Sequence, residues 1–162
     1  LNPSSAASDV YKRQFLHRNL QGKPCIIYGD GEQKRCFSYI DDTLQVFDKV
    51  CFDNSAVGEI FNIGPDEDYV TINELANITA NATGYNGEHE YMPGRPKEVK
   101  YATCSSDKIR KYFNYETKVS IAEGIQNTLQ YIRTRGIRKF NYSLPIEIDN
   151  EHTPTTWTKK LI

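Results

Sequence analysis

Two stretches of this chain carry the same helix-start signal, and each run that follows ends on a glycine. Thr71-Ile-Asn-Glu74 and Ser120-Ile-Ala-Glu123 are capping boxes. In each, the hydroxyl takes one free backbone N–H and the Glu reaches back for another. The first box opens a helix that stops at Gly84. The second opens one with Ile121, Ile125, Leu129 and Ile132 on a single stripe, stopped by Gly136. A helix with one apolar stripe must bury it against another layer, so the rest of the chain has to supply that layer.

Short β-type runs supply it. Cys25-Ile26-Ile27-Tyr28 follows Gly22-Lys-Pro24, and Gly29-Asp30-Gly31 makes a turn, because Asp-Gly tolerates positive φ. Arg35 to Ile40 alternates and reads as a second strand, antiparallel to the first. Asp41 or Asp42 is placed to cap a helix whose apolar face holds Leu44, Val46, Phe47 and Val50. Glu59-Ile-Phe-Asn-Ile63 reads as a strand ending at Gly64-Pro65, and His89-Glu-Tyr-Met92 as another. Ser105 or Ser106 caps a helix through Phe113, with Asp107 in its first turn. The fold class expected is α/β, with the small α+β arrangement of strands mixed with short helices.

The two ends differ from the middle. Residues 1–14 show no apolar period and no capping logic, and read as a non-native or disordered segment. Residues 15–136 read as one domain, begun mid-helix with Phe15, Leu16, Asn19 and Leu20 on one face. Such a start is expected of a fragment of a larger protein. Residues 137–162 form a Pro- and Thr-rich extension, expected to lie extended against a surface.

A formal charge of −1 argues against a broad nucleic-acid or anionic-membrane surface, which needs a basic field. Any anion must therefore be held by a few placed cations. No apolar run approaches the roughly 20 residues of a membrane span, and no signal-peptide pattern is present, so a cytoplasmic location is expected. Cys25, Cys36, Cys51 and Cys104 lack C-x-x-C spacing and are read as reduced packing cysteines. His17, His89 and His152 have no ligand spacing, and no metal site is expected. The sequons at Asn77 and Asn81 fall inside a helical pattern.

Two constellations carry chemistry. Arg35 stands at a strand start after a turn, where a planar guanidinium can fork onto a phosphate; the alternative is a salt bridge to Asp41 or Asp42. Pro93-Gly-Arg95-Pro-Lys-Glu98 holds Arg95 in a stiffened loop, which suits an anion clamp; the alternative is a surface Arg in an irregular loop. Arg133, Arg135, Arg138 and Lys139 form a basic run at a helix end, where cations oppose the dipole. A glycine-rich phosphate loop and a Tyr-x-x-x-Lys pair on a helix are both missing from the sequence.

The run Gly22-Lys-Pro-Cys-Ile-Ile-Tyr28-Gly-Asp-Gly-Glu-Gln-Lys-Arg35-Cys-Phe-Ser-Tyr39-Ile-Asp-Asp42 resembles the substrate-domain signature of the NAD-dependent epimerase/dehydratase family, the extended short-chain dehydrogenases. Ile60-Phe-Asn-Ile-Gly64 with Thr71-Ile-Asn-Glu-Leu75 is similar to the next block. Arg95-Pro-Lys-Glu98, then Tyr101-Ala-Thr-Cys-Ser-Ser-Asp107, is similar to the third. The resemblance covers about residues 15–135, and Glu98 departs from the Asp usual in its block.

This resemblance implies a Rossmann-type enzyme that binds NAD and modifies nucleotide-linked sugars. It implies that Arg35 and Arg95 contact the diphosphate of a UDP- or dTDP-sugar. Ile26, Ile27 and Tyr28 would lie along the nucleoside, with Glu98 as a further substrate contact. NAD, the catalytic Tyr and Lys, and any dimer-forming helices would belong to parts outside this chain. The expected function is thus the nucleotide-sugar-binding C-terminal part of an epimerase or decarboxylase acting on UDP-sugars, inactive alone. The rivals are a non-catalytic sugar-nucleotide-binding module and, less favoured by the charge, a nucleic-acid-binding regulatory domain. The clamp requires Arg35 and Arg95 to converge; guanidiniums on opposite sides, or each tied to a neighbouring carboxylate, would count against it.

Overall fold

The computed structural model describes residues 4–95 and 98–137, together with positions 153, 158 and 159; side chains are described from Lys12 onward. Eleven elements follow in order: α1 (Ser4–Leu20), β1 (Ile26–Tyr28), β2 (Lys34–Arg35), α2 (Ile40–Phe52), a 3-10 turn (Asn54–Ala56), β3 (Val70–Thr71), α3 (Ile72–Thr83), β4 (Glu90–Met92), β5 (Tyr101–Ala102), α4 (Asp107–Phe113) and α5 (Ile121–Arg135). The fold is mixed α/β, as expected.

The helix signals hold. Thr71 and Glu74 form the reciprocal capping box, and Gly84 ends α3 in the left-handed region at φ 79°. Ser120 accepts from the Glu123 N–H, and α5 buries Ile125, Leu129 and Ile132. These side chains join Phe15, Leu16, Cys25, Ile27, Phe37, Ile72, Leu75 and Ala76 in the main core. A smaller core gathers Val46, Ile109, Phe113 and Tyr115 under α2 and α4. Asn114 closes α4 at φ 52°, a conformation that Asn tolerates better than most residues.

Four local expectations are corrected. Helix α1 reaches back to Ser4, so most of the segment expected to lack regular structure is helical backbone. Ala6, Ala7, Lys12, Arg13 and Gln14 are good helix formers, and the packed face at Phe15 and Leu16 anchors the helix they extend. The second strand is only Lys34–Arg35, and it does not pair with β1. It runs antiparallel to β3 and parallel to β5, whereas β1 runs parallel to β4.

The third correction concerns caps. Tyr39, not Asp41 or Asp42, is the N-cap of α2, and it makes no side-chain cap bond. Asp42 instead accepts from the Lys118 and Val119 N–H groups, both at 3.1 Å, and anchors that loop. At α4 the expectation is met in part: Ser106 is the N-cap residue and the Ser105 hydroxyl accepts from the Asp107 N–H at 3.1 Å, while the Ser106 hydroxyl donates to the Gly64 carbonyl at 2.6 Å. Finally, residues 59–63 form no strand ladder with any described strand, and Ile60 is 84% exposed. A β-type sequence needs a partner edge, and none of the described strands lies beside this one.

Among the described residues no helix is long and apolar enough to cross a membrane, and no His, Cys, Asp and Glu cluster could hold a metal. Cys25 is buried, Cys36 and Cys104 are half-buried, Cys51 is exposed, and all four are free. The extension beyond Ile137, with Arg138, Lys139 and His152, lies outside the described residues apart from the isolated positions above.

Candidate anion-binding site

The site is built by two parallel strand pairs and the turns at their ends. Strand β1 registers Tyr28 against Met92, and the Gly29 N–H donates to the Met92 carbonyl at 2.9 Å. The turn after Tyr28 is therefore zipped to the loop that carries Arg95, with the Gly29 and Gly94 backbones packed directly against each other. Strand β2 registers Arg35 against Ala102, which brings Arg35 beside the chain just after Glu98.

The turn itself is clamped from α3. The Asn73 amide donates to the Asp30 carbonyl at 2.9 Å and to Glu32 Oε1 at 2.7 Å. Its side chain fills the space a Cβ on Gly31 would need, and Gly31 also sits at φ 74°. Buried Gln33 donates to the Tyr28 carbonyl at 3.0 Å. The Asn73 links were not legible from local spacing, since Asn73 lies some forty residues from the turn it holds.

Arg35 and Arg95 converge, and they meet on Glu98. Arg95 Nη2 lies 2.9 Å from Glu98 Oε1 and Arg95 Nε 3.3 Å from Oε2. Arg35 Nη2 lies 3.5 Å from the same Oε1. Of the two adverse arrangements, the first is absent, because the guanidiniums are not on opposite sides. The second is met: each guanidinium pairs with a carboxylate, and it is the same one, Glu98, for both. The proposed alternative partners of Arg35, Asp41 and Asp42, are not bound to it among the described contacts.

Each arginine has a second anchor. Arg35 is 4% exposed and donates through Nη1 to the Lys34 carbonyl at 2.8 Å and the Lys100 carbonyl at 3.4 Å. Its Nε is buried without a hydrogen-bond partner among the described residues, an unsatisfied donor beside the anion position. Arg95 stacks over the Tyr28 ring with its guanidinium carbon 4.6 Å from the centroid. Sequence reading named Arg35, Arg95, Tyr28 and Glu98; it missed that Tyr28 meets Arg95 and that Glu98 bridges the arginines. Ile27 is fully buried in the main core and Ile26 nearly so, so these residues face the site through backbone and not through side chains.

A cavity of about 660 Å³ lies elsewhere, between α1, residues 36–40 and α5, and none of Tyr28, Arg35, Arg95 or Glu98 lines it. The arginine cluster is mostly buried: the side chain of Arg35 is 5% exposed and that of Glu98 16%, and Arg95 is the most open member at 22%. Nearby, Arg110 of α4 binds Asp66 and Glu67 and clips the 64–68 loop. Hydrogen bonding from Arg110 holds the Asp66 carboxyl down to about 2, helped by the Ser106 N–H at 2.7 Å.

The described residues define a mixed α/β fold in which two arginines converge beside the ends of short parallel strand pairs. The family behind it is given by comparison with known proteins. The GDP-mannose 4,6 dehydratase family profile matches residues 11–128, and the chain belongs to that family, among the nucleotide-sugar epimerases and dehydratases. UDP-glucuronate 4-epimerase of Thermodesulfobacterium geofontis is 30% identical over 118 residues, covering 73% of this chain and 36% of that protein. UDP-N-acetyl-alpha-D-glucosaminuronate decarboxylase of Bacillus cytotoxicus is 29% identical over 126 residues, covering 74% and 39%. The crystal structure of Thermotoga maritima UDP-glucose 4-epimerase with UDP-glucose superposes with a TM-score of 0.67 at 32% identity, covering 75% of this chain and 38% of that one. The UDP-glucuronic acid 4-epimerase of Bacillus cereus, solved with UDP-glucuronic acid and NAD, gives 0.72 at 25% identity, covering 79% and 41%. The chain thus spans about two-fifths of the length of the relatives it matches.

NAD is bound in solved relatives such as the Bacillus cereus enzyme, and among the described residues of this chain the β3–α3 junction does not fit the cofactor's pyrophosphate. The described strand-to-helix junction at β3 and α3 carries Glu74 at the helix start, with its carboxylate accepting from the Thr71 N–H and hydroxyl. A pyrophosphate needs free N–H groups and glycines there instead.

Proposed function

We propose that this chain is the sugar-nucleotide-binding C-terminal part of an NAD-dependent epimerase or decarboxylase acting on UDP-sugars, and that Arg35 and Arg95 grip the diphosphate of the substrate. One observation carries the proposal: guanidiniums sixty residues apart in sequence meet at one point. A nucleoside diphosphate brings about two negative charges, which two planar forks can meet through paired hydrogen bonds. Residues 26–28 lie in β1 directly before the turn that is joined to the loop carrying Arg95, which puts them along the path of a nucleoside whose diphosphate sits at the arginines.

The NAD-binding part and the catalytic Tyr and Lys are assigned to the remainder of a full-length member. The exposed apolar surface of α2 and the segment after it supports that assignment. Ile40, Leu44 and Phe47 of α2 are exposed, as are Val57 and Ile60 after it, and exposed large apolar side chains in number are a usual mark of an interface. With residues 59–63 lacking a ladder, this side offers both a packing face and a strand for a neighbouring sheet. Conversion of UDP-sugars by the 162-residue chain alone, even with added NAD, is not expected.

The test is a thermal-shift panel of UDP- and dTDP-sugars on a full-length member carrying this segment. Ligand binding to the native state raises the melting temperature. Stabilisation by UDP-sugars supports the reading, and no shift with any nucleotide sugar refutes it.

A further inference from the structure

The cavity of about 660 Å³ between α1, residues 36–40 and α5 takes no part in the proposed diphosphate grip. It is a trough with an apolar floor. Phe37, Ile125 and Ile132 of the main core line it, together with half-buried Ile121. Ile40 and Tyr131 line it as well, at 59% and 57% exposed, so part of its apolar lining is open to water. Its described lining residues include Arg13 and Arg135 and no Asp or Glu.

The chain itself leads into this trough. Gly136 ends α5 at φ 78° and is one of the lining residues, so the segment after Ile137 starts at one end of the cavity. Residues 138–148 lie outside the described residues, but their sequence has a strict pattern. Phe140, Tyr142, Leu144, Ile146 and Ile148 alternate without a break with Asn141, Ser143, Pro145, Glu147 and Asp149. In an extended segment a period of two puts every apolar side chain on one face, and that face needs a cover. The five apolar positions span about 26 Å at roughly 3.3 Å per residue. The 15-residue α5 that forms one wall of the trough spans about 22 Å at 1.5 Å per residue. The two lengths match to within about one residue.

We propose that residues 140–148 lie extended in this trough, antiparallel to α5, with their apolar face on its floor. Both surfaces present apolar groups to water, and burying them together drives the docking. A tethered segment also docks at a high effective concentration, which favours it over a second copy of the chain. Running back along α5 brings Glu147 and Asp149 towards the helix N-terminus at Ser120, where the dipole favours negative charge and the lining adds no carboxylate against them. The docked segment acts as a brace: it ties α5 to α1 and to the stretch that leads from Arg35 into α2.

The test uses the 162-residue chain with two readouts. In the first, p-benzoylphenylalanine replaces Leu144, the protein is irradiated, and the cross-linked peptides are mapped by mass spectrometry. Cross-links within one chain to residues 36–40 or 119–136 are expected. In the second, limited chymotrypsin digestion compares wild type with the double variant Leu144→Asp, Ile146→Asp, after thermal melts confirm that both are folded. Two charges on the apolar face should release the segment and speed cleavage at Tyr142 at least tenfold. Cross-links that join two copies, that fall elsewhere on the chain or that do not form overturn the proposal. Equal cleavage rates at Tyr142 in the two proteins overturn it as well.

Discussion

Arg35 and Arg95 should separate cleanly when each is replaced by alanine, because the structure asks different things of them. The Arg35 side chain is 5% exposed and that of Arg95 is 22%. Losing Arg35 takes the donor from the Lys34 carbonyl and removes one of the donors from the Lys100 carbonyl and from the Glu98 carboxylate, which keep the Lys34 N–H and Arg95, at roughly 1.5–3 kcal/mol for each charged hydrogen bond lost. The cavity left behind adds to that cost, and relaxation of the short β2–β5 pair offsets part of it. Arg35→Ala is expected to destabilise the fold by about 3 kcal/mol. Arg95→Ala removes a stacking contact worth about 0.5–1 kcal/mol and a partly exposed ion pair worth about 0–1 kcal/mol, for a total near 1 kcal/mol.

Binding should not follow that order. Each variant loses one charge-assisted grip on the ligand, at roughly 2–4 kcal/mol, or about 30-fold and upward in Kd. Urea unfolding reads the first quantity and calorimetric titration of UDP into the full-length protein reads the second. With a urea slope of about 1–3 kcal/mol/M, Arg35→Ala should lower the midpoint by about 1–3 M, and Arg95→Ala by about a third of that. Equal stabilities for the two variants would refute the claim that Arg35 ties β2 to β5. Unchanged UDP affinity in both would refute the clamp.

Other expectations follow from the same geometry. Asp66 titrates low because of Arg110, so its contribution is present above the unfolded carboxylate value near 4 and is lost as pH falls from there towards 2. Asp66→Asn should therefore cost about 1 kcal/mol at pH 7 and almost nothing near pH 2, as read from urea midpoints across that range. Leu129 is fully buried where α5 meets the main core. Leu129→Ala should cost about 3 kcal/mol by chemical denaturation, and a loss under 1 kcal/mol would mean that α5 is not packed as described.

What could be read from the sequence, and what could not, divides along the distance over which each signal acts. Thr71 with Glu74, Gly84, and the stripe from Ile121 to Ile132 are decided within one or two helical turns, and all appear in place. So does β1, where three successive apolar residues are all buried. The pairing of β2 was not decided locally. Its alternating pattern suited any edge, and the hairpin implied by Gly29-Asp30-Gly31 gives way to a turn locked by Asn73. Residues 59–63 show the converse, a strand signal without a described partner. At the site, both arginines were legible because guanidiniums in stiff contexts are chemically conspicuous. The bridging role of Glu98 was not, since it depends on two loops being zipped at Gly29 and Gly94.

The open stretch at residues 59–63 also bears on handling the protein. A β-type segment with an outward Ile60 and no ladder partner among the described residues, in a chain that also exposes Phe47 and Val57, is a template for a second copy to add to. Preparations of the 162-residue chain should cloud as concentration rises, and charged residues at positions 57 and 60 are the natural remedy.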